Sequence, residues 1–137
     1  METILVVDDN KNIRRYCESE LEEAGYNVVL SADGQEALRV LPEFPIDLVV
    51  LDVRMPLLNG LETIERMRAV RPEVPIIFFT AYHKDCKRDY RGATATAWVE
   101  KKADLTEPKT TIADVLNRRP GSDRVANDSV PPIGERP

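Results

Sequence analysis

Short apolar runs recur along the chain, and segments with helical spacing of apolar residues separate most of them. The runs lie at 4–7, 28–30, 46–51, 75–80 and 97–100. Their length and apolar continuity are typical of strands that are buried on both faces. Between the first two runs, apolar residues recur every three or four positions over 13–24, the period of an amphipathic helix. Strands that alternate with helices predict an α/β fold with a parallel sheet.

Capping residues predict where the helices begin. The predicted starts are Asn10 or Asn12, Asp33 with Glu36 three residues later, Asn59 before Gly60, and Asp104 or Thr106. Gly25 ends the first helix, whereas the segment 81–97 has few apolar positions and is the hardest part to assign. From Pro120 onward the chain is rich in Pro, Gly, Ser, Asp and Asn. We therefore expect one domain over 1–119 and a disordered tail over 120–137.

Composition narrows the classes of function. A length of 137 residues suits one domain, and a net charge of -5 argues against direct binding of nucleic acid. No apolar run is long enough to cross a membrane, and no export signal precedes the first strand, so we expect a cytoplasmic protein without membrane contact. Cys17 and Cys86 have no metal or redox spacing and are expected to be reduced thiols.

Polar residues follow four of the five predicted strands at the point where each strand ends. They are Asp8 with Asp9, Asp52, Thr80 and Lys101. Because the carboxyl ends of parallel strands share one edge of the sheet, these side chains should converge there. Two carboxylates ~4 Å apart repel by about 4 kcal/mol at an effective dielectric near 20. Either one acid is protonated or a cation lies among them, and oxygen ligands favour Mg²⁺.

The same residues carry a resemblance to a known family. The chain resembles the receiver domains of two-component response regulators, from about Thr3 to Arg118. The matching motifs are Ile4-Leu5-Val6-Val7-Asp8-Asp9, Leu51-Asp52-Val53-Arg54-Met55-Pro56, Asn59-Gly60, Phe79-Thr80-Ala81, and Trp98 three residues before Lys101. The resemblance implies a doubly wound, flavodoxin-like sheet of five strands in the order 2-1-3-4-5.

The resemblance also implies a chemical role for the strand-end residues. Asp52 would accept a phosphoryl group from a histidine of a sensor kinase or a phosphotransfer protein. Asp8, Asp9 and Asp52 would hold Mg²⁺, with the backbone carbonyl of Arg54 as a further ligand. The domain would then catalyse only its own phosphorylation and dephosphorylation, and would not be an enzyme acting on other substrates.

Further residues receive roles from the resemblance alone. Thr80 and Lys101 would contact the phosphoryl oxygens, and Trp98 would report the switched state to a downstream protein partner. Arg54 and Tyr82, two residues after Asp52 and Thr80, would flank the path of attacking water and set the lifetime of the phosphoryl group. One departure concerns Lys102, which stands where the family usually has proline after the lysine.

Three alternatives stay open. An aspartate-nucleophile phosphatase would typically carry Asp-x-Asp after its first strand, whereas this chain has adjacent Asp8 and Asp9. A flavin-binding module would need a phosphate-binding loop rich in Gly, Ser and Thr after that strand, and acids stand there instead. The chain resembles a stand-alone receiver, but it could also be a receiver excised from a longer protein, with its Pro-containing tail as a linker.

Overall fold

A computed structural model gives the fold, and it describes residues 1–55, 58–81, 94–101 and 105–118. Five strands and four helices follow one another within these ranges. They are β1 (Thr3–Val7), α1 (Lys11–Glu23), β2 (Asn27–Ser31), α2 (Gly34–Val40), β3 (Leu48–Leu51), α3 (Gly60–Val70), β4 (Ile76–Thr80), β5 (Ala97–Glu100) and α4 (Thr106–Arg118). The predicted tail over 120–137 and most of the segment 81–97 lie outside the described residues.

The five strands form one parallel sheet in the order β2-β1-β3-β4-β5. This order confirms the predicted doubly wound, flavodoxin-like α/β fold. The chain first moves from β1 outward to β2 and then returns past β1 to β3, so the direction of winding reverses between the two central strands. In open α/β sheets, ligands bind beyond the carboxyl ends of the strands at such a reversal.

Helices cover both faces of the sheet. On one face, strand residues such as Val50 pack with Leu21 of α1 and Leu116 of α4. On the other face, Leu51 packs in a second cluster with Met67 of α3. Every residue of β3 and β4 is buried, as expected for strands with helices on both sides. A slip by one residue would exchange the two faces of a strand, so this packing fixes the register of the central strands.

The ends of α1 follow the predicted capping pattern. The side-chain oxygen of Asn10 accepts hydrogen bonds from the backbone N–H groups of Asn12 and Ile13, at 2.9 and 3.1 Å. Gly25, just beyond the helix, has a φ of 102°, in the left-handed region that glycine adopts at little cost. Both predicted ends of α1 are confirmed.

The predicted capping box at α2 forms only in part. Asp33 accepts a hydrogen bond from the Glu36 N–H at 2.8 Å, but the Glu36 carboxylate accepts from the N–H of Ala32 at 2.8 Å. The reciprocal box lies instead at α3, where Asn59 and Glu62 each accept from the other's backbone N–H, at 2.9 and 3.3 Å. Spacing alone does not distinguish Asp33 from Ala32 as the partner of Glu36.

β3 begins later than the apolar run predicts. The run starts at Ile46, whereas the strand starts at Leu48, because Asp47 forms hydrogen bonds with Thr3, the first residue of β1. The Asp47 carboxylate accepts a hydrogen bond from the Thr3 N–H at 2.8 Å, and its own N–H donates to the Thr3 carbonyl at 2.8 Å. The acid inside the apolar run therefore has a structural role at the amino-terminal edge of the sheet.

Gly60 allows α3 to begin directly against the strand that carries Asp52. Its N–H donates to the Val53 carbonyl at 2.7 Å. A Cβ at this position would collide with the Asp52 carbonyl oxygen and would lie 2.7 Å from the Val53 Cα and 3.0 Å from the Phe78 ring. Only glycine permits this approach, which holds the end of β3 in place beneath the functional residues.

The last helix has Thr106 as its first residue, and the Lys109 N–H donates to the Leu105 carbonyl at 3.0 Å, so Leu105 holds the cap position rather than Thr106. Asp104, the other predicted cap, lies outside the described residues. Pro108 stands in the first turn of α4, where the missing N–H costs little because the first N–H groups have no partner within the helix. None of the helices in the described part of the chain has the length and apolar character needed to span a bilayer.

Candidate functional site

Asp52 lies immediately beyond β3, at the centre of the carboxyl edge of the sheet. It is 6% exposed, and its Oδ1 accepts a hydrogen bond from the Val53 N–H at 2.8 Å. Burial raises the pKa of Asp52 to about 6, although the Lys101 ammonium opposes this rise; the negative charge of Asp8 adds to it. The fold therefore holds a carboxylate where ionisation is costly.

Lys101 is the cation that meets this carboxylate. It follows β5, and its Nζ lies 2.7 Å from Oδ2 of Asp8 and 3.1 Å from Oδ2 of Asp52. Burial lowers the pKa of Lys101, but the hydrogen bonds and charges of the two acids outweigh that effect, so the net shift is upward. Lys101 therefore stays ionised and bridges the ends of β1 and β3, as the predicted convergence requires.

Asp8 is held at every polar atom. Its N–H donates to the Ser31 carbonyl at 3.2 Å, its Oδ1 accepts from the Asn10 N–H at 2.9 Å, and its Oδ2 pairs with Lys101. The carbonyl of Asp8 accepts a hydrogen bond from Nη1 of Arg14 at 2.8 Å. These contacts therefore hold the Asp8 side chain in a fixed position within the site.

Arg14 is a member of the site's surroundings that the sequence analysis missed. The signal for it was available, because α1 begins at Lys11, just after the acids, and long side chains on a helix point back toward its N-terminus. A basic residue in the first turn of α1 is thus placed to reach the loop that follows β1.

Three carboxylates form a group that fits a metal ion. Ligand oxygens of Asp8, Asp9 and Asp52 all lie within 4.8 Å of one another, and Asp9 is the exposed member. Lys101 supplies one positive charge against three negative charges when all the acids are ionised. The surplus of two negative charges and the all-oxygen donor set suit Mg²⁺, which takes one or two carboxylates and retains several waters.

Thr80 and Trp98 lie on the strands next to the acidic group. Thr80 ends β4 and is fully buried, and its carbonyl accepts a hydrogen bond from the Lys101 N–H at 3.1 Å. Trp98, on β5, is opposite Phe78, and the two rings stack with centroids 4.7 Å apart and planes inclined by 30°. Trp98 therefore packs against the same apolar cluster that contains Leu51, directly before Asp52.

Of the remaining residues singled out by the sequence, Arg54 and Cys17 lie within the described part of the chain. Arg54 is exposed two residues beyond Asp52, close in sequence to the acidic group. Tyr82 and Lys102 lie outside the described residues. Cys17 is a free, buried thiol, and burial, followed by the charge of Asp8, raises its pKa to about 11. Cys17 is thus protonated and takes no part in the acidic group.

A known protein family has this strand order together with converging acids and a bridging lysine. Residues 4–113 match the family model described as the response regulator receiver domain. The chain belongs to the response regulator receiver family. It is the receiver domain of a two-component response regulator, and the resemblance drawn from the strand-end motifs is confirmed.

Curated relatives of this receiver include the response regulator ArlR of Staphylococcus aureus. The two are 35% identical over 127 residues, which is 90% of this chain and 56% of ArlR. The receiver thus spans about half the length of the curated relatives it matches.

Solved structures show the same fold. The response regulator TrrA of Thermotoga maritima, solved in complex with Mg²⁺ and beryllofluoride, is 36% identical with a TM-score of 0.80, over 84% of this chain and 99% of that chain. TrrA solved with the histidine kinase ThkA gives 37% identity and a TM-score of 0.78, over 85% and 99%. The chemotaxis protein CheY4 of Vibrio cholerae is 32% identical with a TM-score of 0.74, over 84% and 98%.

These matches favour the receiver over two of the alternatives that the sequence left open. A flavin-binding module would share the sheet topology but not the family model, and the acids beyond β1 would repel a phosphate placed there. For an aspartate-nucleophile phosphatase, the nucleophile would be expected beyond the first strand. The family model that matches residues 4–113 describes a receiver domain instead.

The raised pKa of Asp52 predicts that this acid destabilises the metal-free receiver. Because the folded pKa of about 6 exceeds the ordinary aspartate value of 3.8, stability is lost as the pH rises from about 4 to about 6, and the full cost is present above 6. Asp52→Asn removes the charge and should raise the free energy of unfolding by about 1–3 kcal/mol at pH 7.5, since each pKa unit is worth about 1.4 kcal/mol.

Thermal unfolding in a metal chelator measures this effect, and the gap between wild type and variant should shrink as the pH is lowered toward 4.5. Asp114→Asn is the matched control, because Asp114 is exposed on α4 and should leave stability unchanged. A metal-free Asp52→Asn protein that is no more stable than wild type at pH 7.5 would contradict the argument.

Proposed function

We propose that Asp52 is the phosphoacceptor of this receiver and that Lys101, Thr80 and a Mg²⁺ ion assist the transfer. The observation that carries the proposal is the bridge from Lys101 to Asp8 and Asp52, at 2.7 and 3.1 Å. It sets a fixed positive charge beside the carboxylate at the centre of the edge. Asp8 and Asp9 follow β1, where the family resemblance places metal ligands, whereas Asp52 follows β3, where the resemblance places the phosphoacceptor.

The transfer is a simple exchange at phosphorus. An Oδ of Asp52 forms a bond to the phosphorus atom, while the bond from phosphorus to the donor nitrogen breaks and its electron pair stays on the imidazole of the donor histidine. A carboxylate needs no general base, because it carries no proton when ionised. The main obstacle is repulsion between anions, so stabilisation is chiefly electrostatic. The Lys101 ammonium supplies part of it.

Asp8, Asp9 and Asp52 would hold the Mg²⁺, with the backbone carbonyl of Arg54 as a further ligand. The ion supplies charge neutralisation for the phosphoryl oxygens when it is bound. Support comes from the close spacing of the three carboxylates and from TrrA, which was solved with Mg²⁺ and beryllofluoride. The surplus negative charge of the group explains why these residues would bind a divalent cation.

The phosphodonor would be a histidine kinase or a phosphotransfer protein. TrrA, a solved relative, was crystallised with the histidine kinase ThkA, which supports a kinase as partner here as well. The domain itself would occupy residues 1–119, with 120–137 as a tail outside the core. In this role the receiver catalyses only its own phosphorylation and dephosphorylation, and its output passes to a downstream protein.

The conformational switch would run through Thr80 and Trp98. A phosphoryl group on Asp52 offers the Thr80 hydroxyl a charged acceptor, and hydrogen bonds of this type are worth about 1.5–3 kcal/mol. That is sufficient to shift a pair of states that differ by a few kcal/mol. Trp98 shares the apolar cluster of Leu51 through its stacking on Phe78, so a movement of β4 would change its surroundings.

A small phosphodonor such as acetyl phosphate, with Mg²⁺, should add one phosphoryl group to the receiver. Asp52→Asn should abolish the adduct in intact-mass analysis, and Asp9→Ala should abolish it by weakening metal binding while the protein remains folded. Asp114→Asn, on the exposed side of α4, should label like wild type. An adduct of full occupancy on Asp52→Asn would remove Asp52 from its proposed role.

Beryllofluoride with Mg²⁺ should change the emission of Trp98, the only tryptophan of the chain. Thr80→Ala should bind the mimic but lose most of the emission change, because the hydroxyl that reads the new acceptor is gone. Thr80→Ser, which keeps the hydroxyl, should retain it. An unchanged emission in wild type, with Asp52 shown to be occupied, would place the output elsewhere.

Arg54 and Tyr82 should set the lifetime of the phosphoryl group, because the family resemblance makes them flankers of the path of attacking water, and large side chains there would keep water from the in-line position that hydrolysis needs. Replacing both with Ala should shorten the half-life of the label severalfold. Arg66→Ala, on the exposed side of α3, serves as the control. The decay of the adduct, followed by intact mass, tests this role, and an unchanged half-life would rule it out.

A further inference from the structure

Arg68 joins three parts of the chain at the amino-terminal edge of the sheet, the edge opposite to Asp52. It lies in α3, and its Nη1 donates to the Val74 carbonyl at 2.7 Å while its Nη2 donates to the Thr94 carbonyl at 2.7 Å. Two longer contacts of 3.5 Å reach the Pro72 carbonyl and Oγ1 of Thr96. We call these four contacts the Arg68 clasp.

The guanidinium is used within the protein rather than left for a ligand. It borders a cavity of about 500 Å³ between the ends of α3 and α4, together with Thr96 and Arg118. Yet its two terminal nitrogens make four contacts with protein oxygens, two of them at 2.7 Å. Burial lowers the pKa of Arg68, and within the described residues its hydrogen-bond partners are carbonyls and a hydroxyl rather than carboxylates. A partly buried guanidinium loses part of its hydration, and this desolvation costs free energy that a fully exposed arginine would not lose.

Thr96 connects the clasp to the sheet. Its Oγ1 accepts a hydrogen bond from the Ile76 N–H at 3.2 Å, and its own N–H donates to the Ile76 carbonyl at 2.8 Å. Ile76 begins β4, so Thr96 fixes the alignment of β5 against β4 one residue before β5 starts. The Arg68 clasp therefore holds the first point of pairing between these two strands.

The alignment of β5 matters because this strand is short and lies at the edge of the sheet. It has four residues and a strand neighbour on one side only. A shift by one residue would turn every side chain to the opposite face. Thr96 and Lys101 lie at the two ends of the strand, about 16 Å apart at roughly 3.3 Å per residue.

We infer that Arg68 is a positioning residue for Lys101: by clasping the chain at 94–96, it sets the alignment of β5 and hence the placement of the ammonium beside Asp8 and Asp52. The inference deepens the proposed function, since it assumes that Lys101 serves phosphoryl transfer at Asp52. The ladder that transmits the alignment continues from Thr96 through Trp98, opposite Phe78, to the Lys101 N–H, which donates to the Thr80 carbonyl at 3.1 Å.

Three variants and two controls, Thr96→Ser and Arg66→Met, test this role in the full chain. Arg68→Met removes the guanidinium but keeps an apolar stem, and Arg68→Lys keeps the charge but not the planar fork that reaches two sets of carbonyls. Thr96→Val removes the hydroxyl while it keeps the shape. Arg66→Met is the control for Arg68, because Arg66 is exposed two residues away on α3.

The first readout is amide exchange of residues 97–101, which needs no phosphorylation. Arg68→Met and Arg68→Lys should speed exchange there, including at the Lys101 amide, by at least tenfold relative to Arg66→Met, while exchange in β1 and β3 changes little. Thr96→Val should show a smaller acceleration of the same residues, and Thr96→Ser should show none. Exchange that is unchanged, or that rises equally in every strand, would overturn the inference.

The second readout is the affinity for beryllofluoride with Mg²⁺, measured by calorimetry. It should fall about tenfold in Arg68→Met, equivalent to about 1.4 kcal/mol, and stay at the wild-type value in Arg66→Met. Faster exchange of 97–101 with unchanged affinity would show a structural clasp that does not position Lys101, and would overturn the inference. If wild type itself bound no beryllofluoride, the proposed function would fail, and the exchange data would still decide whether Arg68 aligns β5. Should Arg68→Met not fold, Arg68→Lys and Thr96→Val carry the same comparisons.

Discussion

The ion pairs that Lys101 makes with Asp8 and Asp52, at 2.7 and 3.1 Å, constrain how the carboxyl ends of β1, β3 and β5 are arranged. A carboxylate at the end of a strand buried on both faces is tolerable only if a cation reaches it. In this chain the cation comes from the far edge strand, so the acid of β3 and the lysine of β5 are compensated only when β4 lies between them in correct alignment. The need to pair the charge of Asp52 therefore constrains the alignment of β3, β4 and β5 with one another.

Stability and function oppose each other at this edge. The apolar clusters on both faces hold the sheet together, whereas Asp52 adds a group that resists ionisation, with a pKa of about 6. Neither the lysine nor the hydrogen bond from the Val53 N–H removes the surplus charge of three neighbouring acids. An arrangement selected for stability alone would replace one acid with an amide. The surplus negative charge attracts a divalent cation, which would stabilise an incoming phosphoryl group. The stability lost by grouping three acids is therefore linked to the proposed chemistry.

Much of this fold follows from the sequence because its signals are local. Apolar runs predicted the strands, Asn10 and Gly25 predicted the ends of α1, and the polar residues at successive strand ends predicted one converging edge. Contacts between distant residues were not predictable in this way. The choice of Ala32 as the partner of Glu36, the reach of Arg14 to the Asp8 carbonyl and the use of Arg68 at residues 94–96 all depend on side-chain directions that spacing does not encode. The roles of Tyr82 and of the tail stay predictions.

The charges of α1 extend the same argument from the site to the helix beside it. The helix has no acid in its first turn and no base in its last turn; Lys11 and Arg14 lie near its start and Glu22 and Glu23 at its end. Each charge placed against the helix dipole costs roughly 0.3–1 kcal/mol. The bases at the start, however, follow directly on Asp8 and Asp9, and Arg14 donates to the Asp8 carbonyl. The contact with Asp8 thus offsets the unfavourable position of Arg14 on the helix, so the site beside α1, and not the helix alone, explains a base at this position.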